Sequence, residues 1–400
     1  MSTFQNLPSA AARNHAVLAD RVFDGRKWHA NTAVLIGKVG ILGLEPWSEL
    51  PDGWPQTRLP AGAVLAPGFI DLQVNGGGGI LLNDQPTAEG MRAISRTHRR
   101  FGTTSCLPTL ITDTREQMQA VIRSAQSIGD ADGILGLHLE GPFISPMRPG
   151  VHRPSSITRP GKQDIDLLKQ LAGVGRSMVT LAPECVPAGF VRSLTSQGLR
   201  ISIGHSEATA SIVAQAVSDG ATGVTHLFNA MAPMSARTPG IIGAALAEQR
   251  LTAGLIVDGI HVDPVSVRAA FAAKGPDRIA LVTDAMPTVG SSRSRFDLQG
   301  REVHLRDGRL TTDQGTLAGA HLDMASAVRN AVRLALIPLE DALRAASLTP
   351  AQYLGLEDTR GALVPGARAD MVALDSDLHA IATWLDGRVE SERPLNSDLD

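Results

Sequence analysis

The sequence predicts an α/β fold, a TIM (β/α)8 barrel that carries a small β-sandwich formed by both chain ends. Three observations lead there. From Val64 onward, short apolar runs rich in β-branched residues alternate with segments of helical period, the pattern of βα units around a parallel sheet. Eight such runs can be counted, the number that closes a barrel. Both flanks share a texture the middle lacks, strand-like runs broken by tight-turn signals.

The elements follow in chain order. The first flank, Arg21 to Leu59, contains Asp24-Gly25 and Asp52-Gly53, and the last, Gly361 to Glu390, contains Asp386-Gly387. Such pairs favour the positive φ angles of hairpin turns. Residues 1–62 and 356–400 are therefore expected to form one small β domain, with the barrel of 63–355 inserted between its halves. The expected barrel strands are Val64–Val74, Thr103–Leu107, Gly133–Leu139, Met178–Ala182, Leu199–Ile203, Gly223–His226, Ala253–Val257 and Arg278–Thr283. Between them, Thr87–Phe101, Thr114–Ser127, Ala208–Ser218 and Pro264–Ala273 place apolar residues three or four apart, which puts them on one helical face. At Phe296–Leu317, Asp307-Gly308 separates two alternating runs, so a β-hairpin insertion is expected there.

Composition fits this plan. A chain of 400 residues exceeds the roughly 250–300 at which single cores stop growing. Hydrophobic residues at 43% and charged residues at 19% are globular values, and 40 Gly with 24 Pro spread along the chain mark many short turns. Lys+Arg 37 against Asp+Glu 40 leaves a formal net charge of −3, so no global basic field draws in nucleic acid or an anionic membrane. Any anionic ligand must be caught locally. Cys106 and Cys185 are too few for a disulfide framework, which fits a reducing compartment. Met1 to Asp20 lacks the apolar core of a signal peptide, and runs such as Ile241–Leu246 are far shorter than the roughly 20 residues that span a bilayer. A soluble, cytoplasmic protein is expected.

Barrel enzymes place their working groups at the C-terminal ends of strands. The third expected strand ends in His138-Leu139-Glu140-Gly141-Pro142, the fifth in Gly204-His205-Ser206, the sixth in Thr225-His226-Leu227-Phe228-Asn229 and the eighth in Thr283-Asp284-Ala285. Glu140, His205 and His226 make a three-ligand set for a catalytic divalent metal, with a position left for water. Asp284 can then deprotonate that water. Zn²⁺ suits one carboxylate and two imidazoles best, and Fe²⁺, Co²⁺ or Mn²⁺ suit the same N/O site. A serine hydrolase built on Ser206 lacks a GxSxG elbow. A dinucleotide reading of Gly76 to Gly79 lacks the GxGxxG spacing. That glycine run is expected to be a loop of close backbone approach. His138 shares a strand face with Glu140 and is read as a supporting or interior residue, while Asp71, beside Gln73, is assigned no role.

These residues resemble a known family. Pro67-Gly68-Phe69-Ile70-Asp71, followed by Gln73 and Asn75, is similar to the opening strand of the amidohydrolase superfamily, where that strand usually ends in His-x-His. The strand-end motifs above, together with Leu181-Ala182-Pro183-Glu184, Asn229-Ala230-Met231 and Asp258-Gly259-Ile260-His261-Val262-Asp263, resemble the N-acetylglucosamine-6-phosphate deacetylase family. The resemblance runs from Val64 to the Gly366–Asp370 segment. It implies hydrolysis of the N-acetyl amide of N-acetylglucosamine 6-phosphate, in amino-sugar catabolism. It also implies that Glu140, His205 and His226 hold the metal, that Asp284 is the acid/base, and that His152 polarises the acetyl carbonyl. Gln73, Asn75, Asn229, Ala230, Arg237 and His261 match substrate-binding positions. In the family Arg237 and His261 reach a neighbouring active site, which implies a homodimer. Gln-x-Asn in place of His-x-His removes the usual ligands of a second metal and favours one ion.

Rival readings differ in what they require. N-acetylgalactosamine 6-phosphate differs from the first substrate at one hydroxyl and is the near alternative. A dihydroorotase or N-acyl-D-amino-acid deacylase is expected to carry His-x-His on the first strand, against which Gln73 and Asn75 argue. A non-catalytic sugar-phosphate sensor predicts loss of a ligand or base, whereas Glu140, His205, His226 and Asp284 are all present.

Overall fold

A computed structural model describes residues 14–50 and 52–392; the outer parts of the expected small domain, 1–13 and 393–400, lie outside the described residues. Among the described residues, eight parallel strands form the barrel sheet, each hydrogen-bonded to the next in chain order. They are β1 (Phe69–Val74), β2 (Thr103–Ile111), β3 (His138–Glu140), β4 (Met178–Leu181), β5 (Arg200–Ile203), β6 (Gly223–Val224), β7 (Thr252–Leu255) and β8 (Ile279–Leu281). The Leu, Ile and Val side chains of these strands are buried, as expected where helices cover a parallel sheet. The seam between β8 and β1 is closed just beyond the strands. There the Asp284 N–H donates to the Gln73 carbonyl and the Asn75 N–H donates to the Ala285 carbonyl, both at 3.0 Å. Closure of the barrel thus brings residues 73, 75 and 284 together.

The helices begin where short polar side chains can take up orphan N–H groups. Thr87, Thr114, Thr209 and Asp263 each accept a first-turn N–H and start Ala88–Arg99, Arg115–Ala125, Ala210–Ser218 and Pro264–Lys274. Both chain ends meet in a second, mostly antiparallel sheet, in the order Arg388–Glu392, Ala380–Leu385, Met371–Leu374, Val64–Pro67, His15–Phe23, Trp28–Gly37 and Gly40–Pro46. Gln56–Arg58 pairs beside His15–Phe23. Val34, Ile36, Leu65, Met371 and Trp384 pack into one cluster of this sheet, and Gly387, near one end, lies against Ile36 and His15. The two halves therefore face each other across a core. No helix among the described residues is long and apolar enough to cross a membrane.

The expected strand Gly133–Leu139 is reduced to His138–Glu140, and three further elements differ from expectation. The expected strand Val64–Val74 is two strands, one in each sheet, divided at Gly68. A Cβ at Gly68 would lie 2.3 Å from the Thr104 side chain, so only glycine lets the chain pass between the sheets there. The expected strand Thr103–Leu107 continues through Pro108 to Ile111. The ladder with β1 shifts register at this point, so the missing proline N–H costs no regular bond. The expected hairpin insertion is a three-stranded sheet, Arg295–Leu298, Arg301–Arg306 and Arg309–Thr312. Its second turn is Asp307-Gly308; its first, Gln299-Gly300, has φ of 52° and 84° at two residues whose names do not announce a hairpin turn.

Candidate metal centre and active site

The barrel ends deliver the predicted side chains through strained backbone. His205, His226 and Asp284 have φ of 47°, 29° and 51°, and Phe228 and Ala230 follow at 80° and 51°. Non-glycine residues in this region cost on the order of 1–3 kcal/mol each and persist where the surroundings over-determine them. Here each strand ends in a residue that turns sharply over the barrel mouth.

Glu140, His205 and His226 converge, with ligand atoms all within 4.8 Å of one another. Glu140 Oε1 lies 3.2 Å from His205 Nε2 and 2.9 Å from His226 Nε2, and the two Nε2 atoms are 3.1 Å apart. His205 Nδ1 contacts the Arg148 carbonyl at 2.9 Å. A carbonyl only accepts, so Nδ1 carries the proton and Nε2 turns a lone pair toward the carboxylate. Such a cluster calls for positive charge. Burial alone would push Glu140 up, yet the imidazoles packed around it hold it well below the usual carboxylate range. His226 is raised by the same carboxylate against the opposing effect of burial. Ligand atoms about 2.0–2.2 Å from a tetrahedral divalent ion are about 3.3 Å from one another. The observed spacing and the donor set fit such an ion.

Asp284 stands beside this cluster without joining it. Asn75 Nδ2 donates to its Oδ1 at 2.6 Å, and Gln73 Nε2 donates to the same atom at 3.1 Å and to Glu140 Oε1 at 3.0 Å. Both amides occupy Oδ1, leaving Oδ2 for other chemistry. Burial and then the Glu140 charge push Asp284 up to about 6. The Gln-x-Asn pair therefore supplies neutral donors to two carboxylates where imidazoles would compete for metal.

His152 comes from the loop after β3 and is buried next to the cluster. Its ring centroid is 4.3 Å from that of His205, and its Nε2 lies 3.7 Å from Glu140 Oε2. Burial, and then the neighbouring His205, lower its pKa to about 3. Its Nδ1 meets the Thr112 hydroxyl at 2.6 Å. His261 is held by Asp258, which takes His261 Nδ1 on Oδ2 at 2.6 Å and the backbone N–H groups of Ile260 and His261 on Oδ1. Asn229 and Ala230 sit half-buried immediately after His226. Arg237 lies in the exposed segment 233–239, and among the described residues no hydrogen bond or ion pair joins it to the others.

Several further residues find their places. His138 points into the barrel, with Nε2 2.7 Å from Thr180 Oγ1, and supports the floor of the site. Ser206 donates to Glu184 Oε2 at 2.8 Å, so its hydroxyl is engaged in holding the loop. Asp71 accepts the Thr283 hydroxyl at 2.5 Å and ties β1 to the end of β8. Gly76 and Gly77 approach backbone and His98 so closely that a Cβ would meet atoms at 2.4 and 2.8 Å. Residue-by-residue reading missed Thr112, Asp258 and Glu184 as partners of the site. Thr112 directly follows β2, whose expected range, Thr103–Leu107, stopped short of it.

The comparisons with known proteins agree with this geometry. The profile described as Amidohydrolase family matches residues 64–393. The N-acetylgalactosamine-6-phosphate deacetylase of Shewanella sp. (strain ANA-3) is 41% identical over 338 residues, covering 84% of this chain and 85% of that protein. The N-acetylglucosamine-6-phosphate deacetylase of Bos taurus is 41% identical over 354 residues, covering 83% and 86%. Among solved structures, the N-acetylglucosamine-6-phosphate deacetylase from Pasteurella multocida superposes with a TM-score of 0.91 at 32% identity, covering 95% of this chain and 100% of that one.

Proposed function

Because the chain belongs to the amidohydrolase family, we propose that it hydrolyses the N-acetyl amide of N-acetylglucosamine 6-phosphate to glucosamine 6-phosphate and acetate. The observation that carries this reading is the meeting of Glu140, His205 and His226 with a separate carboxylate, Asp284, whose Oδ1 is occupied by Gln73 and Asn75. Relatives named for this reaction and spanning most of the chain support it.

Glu140, His205 and His226 would hold one divalent ion, Zn²⁺ by donor set, with Fe²⁺, Co²⁺ or Mn²⁺ as the alternatives. When bound, the ion lowers the pKa of water from 15.7 to about 7 in favourable sites and polarises a carbonyl. Asp284 takes the proton of the attacking water on Oδ2, the oxygen its amide partners leave open. His152 offers Nε2–H to the acetyl oxygen as negative charge grows there. Asp284 then returns its proton to the amide nitrogen, because an amine leaves where an amide anion cannot. Asn229 and the Ala230 backbone bind the sugar phosphate, and Arg237 and His261 complete that site from the second subunit of a cytoplasmic homodimer. Phosphate binding remote from the reacting bond orients the amide.

The 41% identity to a protein named N-acetylgalactosamine-6-phosphate deacetylase favours a second reading, the same chemistry on the epimer. Acetate release from both sugar phosphates, measured on one preparation of known metal content, tests both. The larger kcat/KM identifies the substrate, and release from neither removes the proposal.

A further inference from the structure

The Thr112 hydroxyl has one hydrogen and two neighbours able to take it, His152 Nδ1 at 2.6 Å and the Glu140 carbonyl at 3.1 Å. If the hydrogen goes to the carbonyl, His152 must donate from Nδ1, and its Nε2 turns a lone pair to the reaction centre. If it goes to Nδ1, the imidazole proton sits on Nε2. The shorter contact is to Nδ1. His152 Nε2 also faces Glu140 Oε2 at 3.7 Å, and a carboxylate there favours N–H over a lone pair.

We propose that Thr112 is a positioning residue that fixes His152 as the Nε2–H tautomer, so that a neutral imidazole can donate to the oxyanion of the acetyl group. This rests on the deacetylase reading above. The insertion sheet holds both partners in register. From its first turn Gln299 Nε2 donates to the Thr112 carbonyl at 2.8 Å, and Arg301, which opens its second strand, donates to the Val151 carbonyl, one residue before His152. The turn and the strand it opens thus hold both segments of the contact by their backbones, and both Thr112 and His152 are closed to solvent. Thr112 Oγ1 also fills space against Gly141, where a Cβ would lie 2.1 Å from it.

The test compares wild type, Thr112→Val and Thr112→Ser, each Zn²⁺-loaded and checked for metal content and thermal stability. Valine keeps the shape and removes the donor; serine restores it. Losing an oxyanion donor costs about 10²–10³ in kcat where measured elsewhere, and a displaced tautomer costs less. For Thr112→Val the expected result is a kcat about 10–100-fold lower with KM within about twofold, and near-wild-type kcat for Thr112→Ser. Long-range ¹⁵N–¹H spectra report the tautomer directly: His152 is expected as Nε2–H in wild type and Thr112→Ser. The proposal is overturned by Nδ1–H in the wild-type spectrum, by wild-type kcat in Thr112→Val, or by failure of serine to restore the rate. The spectrum of wild type decides the matter even where Thr112→Val does not fold. Absence of acetate release from wild type, by contrast, removes the deacetylase reading itself.

Discussion

Gln73→Met isolates what the first-strand amide contributes. Methionine has similar length and bulk but no N–H, so the change removes the bonds at 3.0 and 3.1 Å to Glu140 and Asp284 with little change in packing. Gln73 and Glu140 are 1% and 2% exposed, so water cannot replace the lost donor. Hydrogen bonds to charged groups contribute about 1.5–3 kcal/mol each, which sets a ceiling of about 3–6 kcal/mol for the pair. In the metal-loaded protein Glu140 keeps a cation as partner, so the loss falls on Asp284 and is expected near 1.5–3 kcal/mol. Urea unfolding with and without chelator measures this, and the deficit is expected to be larger without metal. A double-mutant cycle with Asp284→Ala assigns the Asp284 share, with a coupling of at least about 1.5 kcal/mol expected. At 1.36 kcal/mol per decade, kcat/KM of Gln73→Met is expected to fall about 10–100-fold. A coupling below about 0.5 kcal/mol would refute the view that Gln73 acts through Asp284.

Asp284→Asn is expected to keep metal and substrate while kcat drops about 10²–10⁴-fold, read by acetate release alongside metal analysis; preserved turnover removes Asp284 from the reaction. Chelation is expected to lower thermal stability, by about 4 kcal/mol relative to a metal concentration a thousandfold above Kd, and Zn²⁺ is expected to restore it. Asp71 is pushed up to about 7, above the ordinary aspartate value of 3.8, chiefly by burial. The folded state therefore binds this proton more tightly than the unfolded chain, and the stability it contributes is complete below about pH 4 and lost as pH rises through about 7. The wild-type stability minus that of Asp71→Asn is expected to fall over that window by up to about 4 kcal/mol; a flat or rising difference contradicts the assignment. Asp258→Asn is expected to raise KM for the sugar phosphate about tenfold with a smaller effect on kcat, since Asp258 acts by orienting His261.

What was legible in the sequence was what local chemistry announces. Alternating apolar runs marked the barrel, and Glu140, His205, His226 and Asp284 were visible because each stands at the end of such a run or within two residues of it. Long-range relations left weaker marks. Gly68 reads as an ordinary strand glycine, and only the Thr104 side chain packed against it shows why the chain must change sheets there. Thr112 and His152 are 40 residues apart and meet because β2 runs past Pro108 and because an insertion 150 residues further on holds both loops. No local pattern encodes that contact.

Gln73 and Asn75 show where the boundary between the two kinds of information lies. Their identity, amide in place of imidazole, already argued against a second metal. Their purpose became readable only through the β1–β8 seam, which sets both amides against Asp284 Oδ1. An imidazole pair there would offer lone pairs to a cation; an amide pair offers hydrogens to an anion. On the proposed reading, the same two positions would orient a single base where imidazoles would hold a second ion, and the carboxylate proposed to move the proton is the one the seam itself presents.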